Sequence, residues 1–107
     1  MYKVMIFLTR KTDASREEFQ RWWWDGHAPK ARELPGIVKI TFNVLNGDDE
    51  AVAAGVGFDG IAELWFESAE AAAAGYASDI GKAVAADSVA NVAARVRVPV
   101  DELVVLQ

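Results

Sequence analysis

A chain of 107 residues, 52% hydrophobic and 25% charged, has the length and balance of one folded domain and no room for a second core. Its formal charge of -5 and pI near 4.7, with eleven Lys and Arg scattered along the sequence, argue against nucleic acid or an anionic membrane surface as partner. Absent cysteine removes disulfides, thiolate nucleophiles and thiolate metal sites, and a lone histidine removes a His-rich metal site within one chain, so no metal is expected.

Residues 1–9 alternate Tyr2, Val4, Ile6 and Leu8 against Lys3, Met5, Phe7 and Thr9, which reads as a strand covered on both faces. Its apolar run, residues 4–8, is too short for a membrane span or a signal h-region, so the cytoplasm is the expected location. Ser15-Arg16-Glu17-Glu18 forms a capping box, and a helix is predicted from Arg16 with Phe19, Trp22, Trp23 and Gly26 on its buried face. Pro29 cannot continue an unbroken hydrogen-bond ladder, so Gly26-His27-Ala28-Pro29 reads as a kink with a short second turn through Glu33, ended by Leu34-Pro35-Gly36.

Residues 37–45 alternate again and end at Asn46-Gly47, a strand and its turn. Residues 48–60 are acidic, Gly-rich and Ala-rich without a period, and are expected to form an irregular loop, either a lid over a site or a mobile segment without function, the latter favoured. Residues 61–67 make a third strand, with Ala62, Leu64 and Phe66 on one face and Ile61, Glu63 and Trp65 on the other. Ser68 is an N-cap for an alanine-rich helix running to about Arg95, broken near Gly75 and recapped at Ser78 or Asp79. Residues 96–106 are extended, with Pro99 favouring an edge or a bend.

The order βαββαβ describes an α+β, ferredoxin-like domain spanning residues 1–107, with four antiparallel strands and both helices on one face. Ile61 and Trp65 on the opposite face are too apolar to be left wet, and no segment remains to cover them. A homodimer packed sheet to sheet is the inference.

Chemistry centres on His27. Helical spacing sets it near Trp23 and Trp24, and burial against indoles favours a neutral imidazole able to exchange a proton near neutral pH. A ring that merely hydrogen-bonds the kink at Gly26 is the competing reading. Trp22 and Trp23 fit the core, whereas Trp24 lies toward the polar side, at a contact or a pocket mouth. Asp25 adjoins His27 but points elsewhere on a regular helix, and Glu63 needs a cation such as Lys3 or Lys39. The alanines of residues 71–86 either let the helix approach the sheet closely or leave a cavity beneath it.

The stretches Leu8-Thr9-Arg10-Lys11, Ser15 to Trp23, His27-Ala28-Pro29, Leu34-Pro35-Gly36 and Ile61-Ala62-Glu63-Leu64-Trp65-Phe66 resemble the EthD family over nearly the whole chain. The resemblance implies a dimeric α+β barrel and a small-molecule role without cofactor. It also matches His27 to the site histidine of methylmuconolactone methylisomerase-type members. Val38 and Leu64 stand where that enzyme type has a second histidine and a cysteine, so its full site set is not present.

Two functions follow as expectations. The first is a cofactor-independent isomerase, lyase or oxygenase acting on a small apolar or aromatic metabolite, with His27 as proton shuttle and Trp23, Trp24, Leu64 and Phe66 as substrate-binding walls. The alternative is a non-catalytic dimeric protein that binds a hydrophobic metabolite, beside which stands a purely structural dimer with a filled core.

Overall fold

A computed structural model describes residues 1–107. Four strands, β1 (Tyr2–Arg10), β2 (Ile37–Val44), β3 (Gly60–Phe66) and β4 (Val92–Val100), form one antiparallel sheet in the order β2-β3-β1-β4. The fold is α+β and ferredoxin-like. Register explains the core: Val4 faces Leu64 and Ile6 faces Ala62 across β1 and β3, and Leu8 and Phe66 continue the same buried face. Each large aliphatic or aromatic side chain buried there stabilises the fold by roughly 1.5–3 kcal/mol.

The first helical layer begins at the capping box, where Ser15 Oγ accepts from the Glu18 amide and the Glu18 carboxylate accepts from the Ser15 amide. Three segments follow without a break: α1 (Arg16–Arg21), a wide π-helical turn (Trp22–His27) and α2 (Ala28–Ala31). The kink expected at residues 26–29 is absorbed here. The Ala28 amide bonds to the Trp23 carbonyl, five residues back, so the chain takes in an extra residue and continues in helical conformation past Pro29.

Residues 48–60 are not the irregular loop expected. Asp49 accepts from the amides of Ala51 and Val52 and starts a short helix, α3 (Glu50–Ala54), an N-cap that the surrounding glycines and acids obscure in the sequence. Asp59 then clamps the segment to the body, accepting from the Arg10 amide at 2.9 Å and pairing with the Arg10 and Arg16 guanidiniums.

The alanine-rich segment is broken where expected, into α4 (Ala69–Ala77) and α5 (Asp79–Asn91). Ser78 serves both: its hydroxyl donates to the Gly75 carbonyl and accepts from the Gly81 amide. The junction is so tight that a Cβ on Gly81 would strike the carbonyl oxygens of Gly75 and Tyr76. The last strand starts at Val92, not Val96, and residues 101–107 lie outside the sheet. Alanines of residues 93–94 suit a helix, but β1 offers an unpaired edge, and pairing with it overrides their preference.

The opposite face of the sheet is more polar and better covered than the sequence indicates. Lys3, only 9% exposed, pairs with Glu63 at 2.9 Å and Glu102 at 2.7 Å within the same chain. Trp65 lies between the ammonium groups of Lys3 and Lys39 and donates its indole N–H to Glu102. Phe58 packs edge-on against Phe7. The segments carrying Phe58 and Glu102 thus cover part of this face, where the sequence offers no obvious candidate. No helix is long and apolar enough to cross a membrane.

Candidate functional site

The wide turn sets the position of His27. On a regular helix the ring would neighbour residues three and four back; in the π-helical turn it neighbours Trp22, five back, with ring centroids 5.1 Å apart. Its other aromatic neighbour is Phe42 of β2, which also stacks on Trp23 at 4.3 Å with a 7° interplanar angle. His27 is therefore buried, 5% exposed, between the first helical layer and the sheet.

Its polar partners come from α5. Nδ1 lies 2.8 Å from Asp87 Oδ2, and Nε2 lies 3.4 Å from the buried Ser88 hydroxyl. Asp87 is itself held by Lys30 at 3.3 Å and by the Asn91 amide. Burial would raise the Asp87 carboxyl, but hydrogen bonds from His27 and Lys30 outweigh it and hold the group below the usual carboxylate range. Burial lowers the His27 imidazole below its ordinary value, against an opposing pull from Asp87. An ionised carboxylate only accepts, so a neutral His27 carries its hydrogen on Nδ1, and Nε2, with its lone pair, is the acceptor toward the Ser88 hydroxyl at 3.4 Å, a long bond that a substrate proton can displace. The pair can hold and pass one proton.

Nε2 shares an inner pocket with Trp23, Phe42, Leu64, Tyr76, Ser88 and Arg95, among others. Its volume is about 30 Å³, room for one or two waters. The alanine-rich helices have thus approached the sheet closely, leaving this small space beneath them. Beyond Phe42, between the first helical layer and the β2 edge, lies an open groove of about 710 Å³ lined by Trp24, Pro29, Arg32, Ile37, Ile40 and Phe42 among others. Phe42 lines both spaces.

Of the residues singled out from the sequence, His27, Trp23 and Leu64 meet in the inner pocket. Trp24, 45% exposed, lies at the outer groove and away from the imidazole. Phe66 is fully buried behind Tyr76, 5.5 Å between ring centroids, and does not line the pocket. Asp25 has no part in the histidine pair. Sequence reasoning misses Asp87, Ser88, Tyr76 and Arg95, and for three of them a signal exists. Val84 and Ser88 are four apart and Asp87 three beyond Val84, which puts both polar residues on the buried side of α5; Arg95-Val96-Arg97-Val98 alternates as a strand does.

Comparison with known proteins agrees with this architecture. The EthD domain model matches residues 11–95. The chain belongs to the EthD family. An EthD family protein from Bacillus halodurans C-125 superposes with a TM-score of 0.79 at 19% identity, over 96% of this chain and all of that one. A dimeric ferredoxin-like protein of unknown function from Thermobifida fusca gives 0.72 at 11% identity, over 92% and 88% of the two chains. A mutant form of the cofactor-independent oxygenase SnoaB from Streptomyces nogalater gives 0.70 at 14% identity, over 98% and 95%. At these identities the three structures establish the fold of this EthD domain and nothing finer. No curated protein sequence matches the chain.

Proposed function

We propose that this EthD domain is a cofactor-independent proton-transfer enzyme, of isomerase, lyase or oxygenase type, acting on a small apolar or aromatic metabolite with His27 as proton shuttle. The observation that carries this reading is the setting of His27: Nδ1 is tied to Asp87, and the ring lines a mostly apolar pocket together with Ser88, whose hydroxyl is the one long polar contact of Nε2. A ring kept only to stabilise the helix bend would bond backbone there, whereas this one is oriented and polarised by a carboxylate, the arrangement a general base uses. The resemblance in fold to an oxygenase described as cofactor-independent supports the class of activity.

The body of the substrate lies in the outer groove against Trp24, and its reacting end passes Phe42 into the inner pocket, where Trp23 and Leu64 are walls and Phe66 backs Tyr76. His27 Nε2 takes a proton from carbon or oxygen there, and the Asp87 carboxylate stabilises the imidazolium that forms. Proton return to a different atom would complete an isomerisation.

Deuterium wash-in tests this reading whatever the final product is. Enolisable aromatic ketones and lactones are incubated in D2O, and exchange at carbon is followed by NMR. Catalysed exchange that falls by on the order of 10²-fold in His27→Ala and Asp87→Asn supports the reading. Parental exchange in both variants sinks it.

The outer groove favours a second reading, a binding protein for a hydrophobic metabolite, because it is far larger than the space at His27. That reading expects ligand-induced shifts at Trp24 that survive His27→Ala, with no exchange at carbon. In either case we propose a homodimer formed through the outer sheet face. Supporting it are the neighbours described as dimeric and the part-exposed Met5, Phe7, Ile61, Val96 and Val98.

A further inference from the structure

Arg95 is placed where an arginine is costly. It is half buried on the helix side of β4, it forms no ion pair, and its Nε is fully shielded from solvent without a hydrogen-bond partner. Burial, and after it the neighbouring Arg97, push the guanidinium below its ordinary value, a smaller pull from Tyr76 opposes them, and no carboxylate pairs with the charge. Tyr76 repeats the pattern. Its hydroxyl is buried with no hydrogen bond of good geometry, although the Arg97 guanidinium lies over its ring, 3.9 Å from the centroid. Both Arg95 and Tyr76 line the inner pocket that His27 also lines. In a chain of net charge -5, two neighbouring arginines without a carboxylate between them mark a local reversal of sign.

We propose that Arg95 and Tyr76 form an oxyanion subsite, which recognises a ligand through a phenolate, enolate or carboxylate oxygen attached to an apolar body. Orphaned donors cost stability, and they persist where a ligand supplies the missing acceptor. The size of the inner pocket fits this division of labour: it admits an oxygen and the atoms bonded to it, while the groove beyond Phe42 takes the rest. The subsite rests on reading the inner pocket as the reaction site, and it narrows the substrate to a carbonyl compound or phenol. When His27 Nε2 removes a proton from the carbon beside a carbonyl, the C–H electron pair becomes the C=C bond and the carbonyl π pair moves to oxygen. That oxygen then carries the charge, and Arg95 and Tyr76 donate to it.

The probe is 4-nitrophenol, whose phenolate absorbs in the visible and whose phenol does not. Titrated in the presence of the wild-type chain, it should ionise at lower pH than in buffer, because the pocket binds the anion selectively. Arg95→Met should weaken binding of the phenolate by roughly tenfold or more, the loss expected for a charged hydrogen bond, and Tyr76→Phe should weaken it less. Arg95→Met should also melt no lower than wild type, since an unpaired buried donor has been removed; a residue kept for the fold would show the opposite. An absent spectral shift with wild type, a shift unchanged in Arg95→Met and Tyr76→Phe, or a shift abolished by His27→Ala would each overturn the proposal. A shift that persists while deuterium exchange fails would leave the subsite standing and remove the proton-transfer reading.

Discussion

His27 Nδ1 and Asp87 Oδ2 stand 2.8 Å apart although sixty residues separate them in sequence. The contact joins the wide turn to α5 and fixes which ring nitrogen faces the pocket. Because His27 is the only histidine, its ring resonances can be followed without assignment ambiguity. Its titration midpoint should lie below 6.5, since burial is the largest influence on it. Asp87→Asn removes the principal opposing influence and should move the midpoint lower still. A midpoint that rises in Asp87→Asn would contradict the geometry.

Stability should depend on pH through the same ring. A folded-state value below 6.5 means that the folded chain binds this proton less tightly than the unfolded chain. The contribution is complete above 6.5 and is lost as pH falls from there toward the folded value. Chemical denaturation of wild type should show this loss, and His27→Gln should lack that limb. Glu63 and Glu102 are both held low, first by hydrogen bonds from Lys3 and then by Asn43 and Trp65 respectively. They contribute a separate decline at more acid pH that both proteins share.

Gly81→Ala should destabilise by about 1–3 kcal/mol, the usual cost of forcing a methyl into a packed site. The added Cβ would meet the carbonyl oxygens of Gly75 and Tyr76, which are backbone and cannot rotate away. Urea titrations of the two proteins check the figure. The same change pries α5 from Tyr76, so the 4-nitrophenol shift should weaken along with stability.

On the outer face, Phe7→Asp places a charge beside Phe58 and near the apolar side chains of β4. Sedimentation should report a dimer for wild type and a monomer for Phe7→Asp, with the far-ultraviolet spectrum unchanged. A wild-type monomer at micromolar concentration would remove the sheet-to-sheet dimer.

Much of the fold is legible in the sequence because its signals are local. Ser15 and Glu18 announce the first helix, Ser78 announces the break between α4 and α5, and the alternation in residues 2–8 and 61–66 sets the core face. The site is less legible because its contacts are not local. A 3.6-residue period puts Trp23 and Trp24 beside His27, and only the wider turn reveals Trp22 as the neighbour. Asp87 sits among alanines on a helix that gives no hint of what it faces, while Asp25, the carboxylate close by in sequence, draws attention instead. The alanines before Arg95 and Arg97 mask their strand character, and the orphaned Nε of Arg95 becomes visible only once β4 is paired with β1.

The wide turn at Trp22–His27 also bears on how this chain can vary in length. A turn with one residue more than the helix on either side can give that residue up and still join the same two ends in the same phase. Asp25 is exposed and bonds nothing named in the site, so it is the residue such a shortening could spare. The flanking helices have no such slack: removing a residue from α1 or α2 would turn everything beyond it by about 100°. The segment that positions the imidazole is therefore the one stretch of this layer where the count of residues, and not only their identity, is free to change.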